Sequence, residues 1–175
     1  MKLVAHAAPS ERFDALFREH RAFVFRSLRH LGSPAEATED LTQEVFITLY
    51  RRLSDFDASR SARAWLFATA RNVLANYRRV SARAQRKLQA LADAPGEPPR
   101  TFDPQRLETA HAVERLLTQI EQPKRIVLLL ADCEGLTGPE VAAALDIPLN
   151  TAYSRLRSAR SELERLVTTL DGAKP

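Results

Sequence analysis

The sequence has little of what several common protein classes require. It contains one cysteine, Cys133, among 175 residues. A single cysteine excludes an internal disulfide and a cysteine-rich zinc module. The four histidines are scattered along the chain, with no spacing that suits metal ligands. We therefore expect no metal site and no cofactor.

Long apolar runs are also missing. The densest, Ile126 to Ala131, is only 6 residues long, whereas a membrane helix needs about 20. The segment from Met1 to Pro9 has one lysine and too short an apolar stretch for a signal peptide. Hydrophobic residues make up 45% of the chain, which supports a buried core and argues against disorder. These features predict a cytoplasmic protein.

The charged residues are segregated along the chain. The formal net charge is only +4, from 26 basic and 22 acidic residues. Residues 60–87 nevertheless include eight basic side chains and no acid, and residues 33–44 include four acids and no base. A charge run alone is usually a solvated helix face. Segregation on this scale also suits a protein that meets a polyanion on one side and another partner elsewhere.

Helical periodicity dominates the sequence, and no strand alternation is convincing. We predict an all-α fold. A first helix begins at Ser10 and ends at Gly32, and a second begins with the capping sequence from Ser33 to Glu36 and runs to about Leu53. A third begins near Ala62, with an inward face of Ala62, Leu66, Thr69, Ala70, Val73, Tyr77 and Val80. Its predicted outward face is small and basic, with Ala64, Ala68, Arg71, Ala75, Arg78 and Arg79.

Proline marks a division in the chain. Four of the ten prolines lie between residues 95 and 104, a composition typical of a linker. We therefore predict two small helical domains, residues 8–90 and 105–170, joined by a flexible linker over residues 91–104. In the second domain, helices are expected from about residue 105 to 120 and from Pro123 to Asp132.

The second domain contains a helix-turn-helix pattern. Thr137 and Glu140 form a capping box before a short alanine-rich helix, and a tight turn from Asp146 to Pro148 leads into a longer one that ends near Val167. At about 100° per residue, the core side of the longer helix is Ala152, Leu156, Ala159, Leu163 and Leu166. The opposite side is polar and free of acids before Glu162, with Asn150, Ser154, Arg157 and Ser161 flanked by Tyr153 and Ser158. Such groups read base edges in a major groove, and the pattern favours DNA reading over an ordinary amphipathic surface helix.

Three motifs, in this order, resemble bacterial RNA polymerase sigma factors of the extracytoplasmic-function (ECF) group. They are EDLTQEVFITLYRRLSDF (39–56), ARAWLFATARNVLANYRR (62–79) and LTGPEVAAALDIPLNTAYSRLRSAR (136–160). The resemblance covers roughly residues 10–80 and 106–168. It implies a region 2 helical bundle followed by a region 4 helix-turn-helix domain. Its implied partners are core RNA polymerase, promoter DNA and an anti-sigma factor.

The resemblance also assigns roles to residues. It implies that core polymerase is bound through Asp40, Leu41, Gln43, Glu44 and Phe46. It implies that the −10 element is melted and read by Asp55, Phe56, Asp57, Ser59, Trp65, Arg71 and Asn72. An unpaired base needs an aromatic wall and an amide, which Phe56, Trp65 and Asn72 could supply. The phosphates of the separated strand could be held by Arg78 and Arg79. The −35 element would be read by Asn150, Thr151, Tyr153, Ser154, Arg157 and Ser158, with phosphate contacts from Arg155 and Arg160.

One departure from the family pattern prevents a prediction of the promoter sequence. Such proteins often have Gly-Thr-Val-Lys-Ser-Arg, whereas residues 150–155 of this chain are Asn-Thr-Ala-Tyr-Ser-Arg. Tyr153 therefore stands where the family often has a basic residue.

Two other function classes remain to be weighed. A stand-alone helix-turn-helix regulator would leave the 39–79 block without a purpose. An enzyme is not expected, since no nucleophile, phosphate loop or metal cluster accompanies the carboxylates of Asp40 and Glu44. Trp65 could equally be a core residue, and Cys133 is expected to be buried or inert.

Overall fold

A computed structural model describes residues 9–56, 61–89 and 116–171. The chain divides into two compact units, Met1–Arg100 and Thr101–Pro175. All regular secondary structure in the described residues is helical, as the periodicity predicts. The predicted linker, residues 91–104, lies outside the described residues, as does the predicted helix over residues 105–115. The domain boundaries therefore stay a prediction.

The described residues of the first unit form a bundle of three helices, each packed against the other two. They are α1 (Pro9–His30), α2 (Thr38–Arg51) and α3 (Ala62–Gln89). Their shared core is large and apolar, and its most deeply buried side chains include Phe23, Val24, Leu28, Val45, Phe46, Leu49, Leu66 and Phe67. A helix with two neighbours buries a broad face, so more of its circumference is apolar than in a helix with one neighbour.

The loop from α1 to α2 confirms one sequence prediction and corrects another. Gly32 takes a positive φ of 79°, and the Ser33 N–H donates to the Leu28 carbonyl at 3.0 Å. This arrangement closes α1 as a Schellman motif. The predicted capping box at Ser33 is wrong, because α2 begins only at Thr38. The Ser33 hydroxyl instead bonds to the Thr38 hydroxyl at 2.8 Å.

The inward face of α3 also differs from its predicted composition. Val80, predicted to face inward, is 56% exposed, whereas Ala64, predicted to face outward, is buried. The largest buried side chains of α3 include Phe67 and Leu74, which the prediction omitted. The buried face is therefore rotated towards these two residues, because α3 packs against both α1 and α2.

The second unit contains a helical segment over residues 116–119 and three further helices. These are α4 (Gln122–Leu128), α5 (Gly138–Leu145) and α6 (Leu149–Asp171), and α4 continues into a π-helical turn, Leu129–Cys133. Its core has Ile120, Leu128 and Ala159 at the centre, with Leu117, Leu156, Leu163 and Leu166 packed around them.

The sequence predicts that Cys133 is buried or inert; it is exposed, so the first of these two alternatives is wrong. Partial desolvation, followed by the charges of Asp132 and Glu134, raises the pKa of its thiol. A raised pKa lowers the thiolate fraction, so this thiol is expected to react slowly despite its exposure.

In the part of the chain that the structure describes, no helix combines the length and apolar character that crossing a membrane would require.

Candidate nucleic-acid and protein interfaces

The turn between α5 and α6 has the geometry of a helix-turn-helix. The Thr137 N–H donates to Glu140 Oε2 at 2.7 Å, and this forms the predicted capping box at the start of α5. Asp146 ends α5 in the left-handed conformation, with φ 56° and ψ 52°. The Ile147 N–H then donates to the Ala142 carbonyl at 3.1 Å, which fixes the direction in which α6 leaves the turn.

The outer face of α6 carries most of the residues predicted to read DNA. We call its exposed members the recognition surface: Asn150, Tyr153, Ser154, Arg157 and Ser158. The opposite side of α6 buries Ala152 and Ala159, as the helical wheel predicts. Thr151 and Arg155 are half-buried on its flanks. The recognition surface thus presents amide, hydroxyl and guanidinium groups to solvent without an acidic neighbour among them.

Tyr153 is only partly available at this surface. Its side chain is 48% exposed, and its ring lies against the backbone of Gly138 at the start of α5. A Cβ atom at Gly138 would stand 2.5 Å from the ring, closer than such atoms approach one another. The glycine therefore makes room for the tyrosine, and the ring is supported on one side by α5.

Arg160, predicted as a phosphate contact, forms a two-pronged ion pair within the second unit. Its Nε donates to Asp132 Oδ2 at 3.0 Å, and its Nη2 donates to Asp132 Oδ1 at 2.5 Å. Hydrogen bonding to Asp132 raises the pKa of the Arg160 guanidinium. One edge of this guanidinium therefore has a protein partner, and the phosphate contact stays a prediction for the other edge.

The predicted polymerase-binding residues of α2 separate into two groups. Asp40, Gln43 and Glu44 are exposed. Leu41 and Phe46, by contrast, are only 5% and 2% exposed. The assignment of these two side chains to a protein-binding surface is corrected, because both lie in the core of the first unit.

The reason for the burial of Phe46 is an aromatic cluster between α1 and α2. The centroid of its ring lies 4.8 Å from that of Phe17 and 6.5 Å from that of Phe13, and both ring pairs have edge-on geometry. Such pairs contribute to packing beyond the area they bury. Phe46 is therefore part of the seam that joins α1 to α2.

Ile47 is a candidate interface residue that the sequence analysis missed. It is 48% exposed and lies on the same side of α2 as Asp40 and Glu44, since residues three, four and seven apart share a helix face. A helical wheel drawn on α2 alone would have found it opposite Val45 and Leu49. The exposed face of α2 consequently combines two acids, an amide and an unburied apolar side chain.

The residues predicted to melt the −10 element are divided by burial. Phe56 is buried, its ring meets the Trp65 ring edge-on at 5.5 Å, and its carbonyl accepts a 2.8 Å hydrogen bond from Arg12 Nη2. This corrects the assignment of Phe56 as an open aromatic wall. Asp55 is exposed, while Asp57 and Ser59 fall in residues 57–60, outside the described residues.

Trp65 and Asn72 meet at a cleft between α2 and α3. The cleft has a volume of about 380 Å³, and its wall includes Glu44 and Thr48 from α2. Trp65 is half-buried and Asn72 is exposed. An indole, an amide and a carboxylate thus converge on one concave surface, next to the exposed face of α2.

The basic residues of α3 do not all face solvent in the same way. Arg78 Nη2 donates to the backbone carbonyls of Leu31 at 2.7 Å and Gly32 at 3.0 Å. The guanidinium of Arg78 thus caps the C-terminus of α1, and its contact with strand phosphates stays a prediction. Arg79 is exposed and Arg71 is half-buried.

Within the described ranges, no group of three potential ligands could hold a metal ion.

Comparison with known proteins places both units in one family. Residues 16–84 match Sigma-70 region 2, and residues 110–163 match Sigma-70 region 4. The ECF RNA polymerase sigma factor SigL of Mycobacterium tuberculosis is 32% identical over 94% of this chain and 96% of its own length.

Two solved structures share the fold. CnrH in complex with the cytosolic domain of CnrY aligns with a TM-score of 0.65 at 24% identity, over 94% of this chain and 91% of CnrH. The sigma factor RpoE in complex with the anti-sigma factor NepR, from Bartonella quintana, aligns with a TM-score of 0.69 at 19% identity, over 90% of this chain and 98% of RpoE.

These matches define the class as a two-domain helical transcription-initiation factor without enzymatic activity. The chain belongs to the sigma-70 family of RNA polymerase sigma factors, in its extracytoplasmic-function group.

Proposed function

We propose that this chain binds core RNA polymerase through its first unit and directs it to promoters that both units read. The observation that carries the proposal is the recognition surface of α6, held by a helix-turn-helix and free of acids. Recognition by two separate units lets two weak contacts with one promoter add through a high effective concentration.

The exposed face of α2 is the surface we assign to core polymerase. Asp40, Gln43, Glu44 and Ile47 share it. Acidic rim residues around an apolar side chain suit a basic protein partner, because charge steers the encounter and the apolar group adds buried area. Gln43→Ala with Glu44→Ala should weaken co-purification with core polymerase and leave thermal stability unchanged. Glu36→Ala is a control, since this exposed acid precedes α2. Undiminished co-purification of the double variant would contradict the assignment.

The cleft between α2 and α3 is the surface we assign to the melted −10 element. A flipped base could stack on Trp65 and bond to the Asn72 amide. Asn72→Ala should therefore reduce the permanganate reactivity of unpaired promoter thymines while leaving closed-complex formation intact. Gln85→Ala, at an exposed amide farther along α3, is the matched control. Normal opening by Asn72→Ala would assign this side chain to the scaffold instead.

We also propose that an anti-sigma factor controls this chain in the cytoplasm. The structural relatives CnrH and RpoE are seen with CnrY and NepR, respectively, and this supports the proposal by analogy. The tagged chain, isolated from its own unstressed cells, should carry a stoichiometric partner that blocks core polymerase binding when added back. A chain isolated already bound to polymerase, with no such partner, would contradict it.

The main test uses the full chain, core RNA polymerase and a library of random-sequence duplexes. Sequenced transcripts should begin at defined sites that share a two-part upstream motif. Transcription no different from that of core polymerase alone, together with tight duplex binding by the chain itself, would favour a stand-alone helix-turn-helix regulator. The motif recovered from a positive result supplies the promoter sequence for every later measurement.

A further inference from the structure

The ion pair between Asp132 and Arg160 links the π-helical turn to the edge of the recognition surface. Both side chains are accessible to solvent, at 36% and 59% exposure. Arg160 lines the same open groove of α6 as Asn150, Ser154 and Arg157. An exposed ion pair contributes little to stability by itself, so its position beside predicted DNA contacts calls for a different explanation.

The geometry of the pair leaves half of the guanidinium unused. Asp132 accepts from Nε and Nη2 of Arg160, which lie along one edge of the planar group. Three N–H donors remain, and two of them lie along the second edge, between Nη1 and Nη2. Glu164 lies one turn farther along the same groove, and among the described residues it forms no ion pair with Arg160. The open edge has the fork geometry that binds a phosphate through two parallel hydrogen bonds.

We propose that Asp132 is a positioning residue for Arg160, holding one edge of the guanidinium so that the other is presented to a phosphate of promoter DNA. This inference rests on the proposed function, because it needs the recognition surface to bind DNA. A free arginine loses rotamer freedom when it grips a phosphate, whereas an arginine already held by Asp132 has lost that freedom on folding. The carboxylate therefore promotes DNA binding although its own charge repels DNA.

The opposite possibility is that Asp132 occupies Arg160 and keeps it from DNA. The two possibilities predict effects of opposite sign for Asp132→Ala, which raises the net charge by one. If Asp132 sequesters Arg160, the variant binds DNA more tightly and with a steeper salt dependence, because a phosphate contact is gained. If Asp132 positions Arg160, the variant binds more weakly in spite of its added positive charge.

The experiment measures binding of the full-chain holoenzyme to the promoter recovered from the random library, over a series of salt concentrations. The variants are Asp132→Ala, Arg160→Ala and the two combined. Asp132→Glu tests rescue, because glutamate also offers two acceptor oxygens. Glu162→Ala is the charge-matched control, because it also removes one acidic side chain from an ion pair. Glu162 lies on α6 with Arg160 and pairs with Lys124 at 3.3 Å.

Arg160→Ala should weaken binding about tenfold and reduce the salt slope by about 1. Asp132→Ala should cause a loss in the same direction, Asp132→Glu should restore part of it, and the combined variant should be no weaker than Arg160→Ala alone. Glu162→Ala should bind at least as tightly as the wild type.

Unchanged or tighter binding by Asp132→Ala would overturn the inference, as would a lowered melting temperature with normal DNA affinity, which would indicate a structural brace. A loss in Glu162→Ala equal to that in Asp132→Ala would overturn it as well. If the wild type selects no promoter at all, both the proposed function and this inference fall. A promoter bound normally by Asp132→Ala removes only the inference.

Discussion

The two units use the polar and aromatic side chains near their interfaces in different ways. In the first unit, each helix packs against two others, and several candidate interface residues serve the bundle itself. Phe46 joins the aromatic seam, Phe56 packs on Trp65, and Arg78 caps α1. In the second unit, α6 also packs against two helices, α4 and α5, but among its described side chains only Ala152 and Ala159 are buried, and its recognition surface remains open.

This difference shows that the packing around a helix limits how well a helical wheel identifies the side chains that are available to a ligand. A helix with a single packed side has one polar face, so the pattern identifies the side that is available to a ligand. A helix such as α3, which buries large side chains over a wider arc, uses part of its polar pattern for capping and internal bonding. The comparison can be tested in both units by substitutions that separate stability from binding.

The largest expected effect is that of Phe46→Ala in the first unit. Removal of this buried ring should lower the free energy of unfolding by about 3–5 kcal/mol, because it leaves a cavity in the seam between α1 and α2. Urea unfolding followed by circular dichroism measures it. Phe46→Leu, as a matched control, should keep most of the stability and all of the polymerase binding. A stable Phe46→Ala variant that fails to bind polymerase would restore Phe46 to the interface.

A smaller effect is expected for Arg157→Ala in the second unit. Its side chain is exposed on the recognition surface, and loss of a base contact costs about 1–3 kcal/mol at one position. Promoter variants tested with the holoenzyme should lose discrimination at a single base of the upstream element. Unchanged thermal stability is the control, and an unaltered preference at every base would refute the base-reading role.

Two adjacent arginines of α3 should behave differently. Arg78→Ala should lower the free energy of unfolding by about 1 kcal/mol, because two carbonyls at the end of α1 lose their donor. Arg79 is exposed, and Arg79→Ala should leave stability unchanged while reducing the salt slope of promoter binding by about 1. Thermal melts and salt titrations of both variants check this pair. The same loss of DNA binding in both would mean that Arg78 also reaches DNA.

The smallest expected effect is a pH dependence from His20, which is buried in the first unit. Burial lowers the pKa of this imidazole below its ordinary value of 6.5; Glu19 opposes the shift and Arg63 adds to it. Because the unfolded chain takes up the proton first, the stabilising contribution is present above pH 6.5 and is lost as the pH falls towards the folded-state pKa.

Urea unfolding of the wild type and His20→Gln across this range isolates the contribution of His20. The variant should show a flatter decline of stability with falling pH than the wild type. Identical profiles for the two proteins would assign the acid sensitivity to other groups.

The sequence alone was sufficient for the all-α fold, the end of α1 at Gly32, the capping box at Thr137 and the recognition surface of α6. These are local features, because they depend on residues within one or two helical turns of each other and on a single apolar stripe. It also allowed family membership to be inferred from its motifs. Ile47 was within reach of the same reasoning, since its place opposite Val45 follows from helical spacing.

Only the tertiary structure decided which side chains are free to act. Phe17 and Phe46 are far apart in the sequence, as are Leu31 and Arg78 or Asp132 and Arg160, yet each pair is in contact. An amino-acid pattern specifies the type of group at each position, but the partner of that group depends on how separate helices pack. For that reason the sequence determined the elements and the chemistry they carry, whereas the packing determined that Phe46 and Arg78 stabilise the fold and that Arg160 has Asp132 at its side.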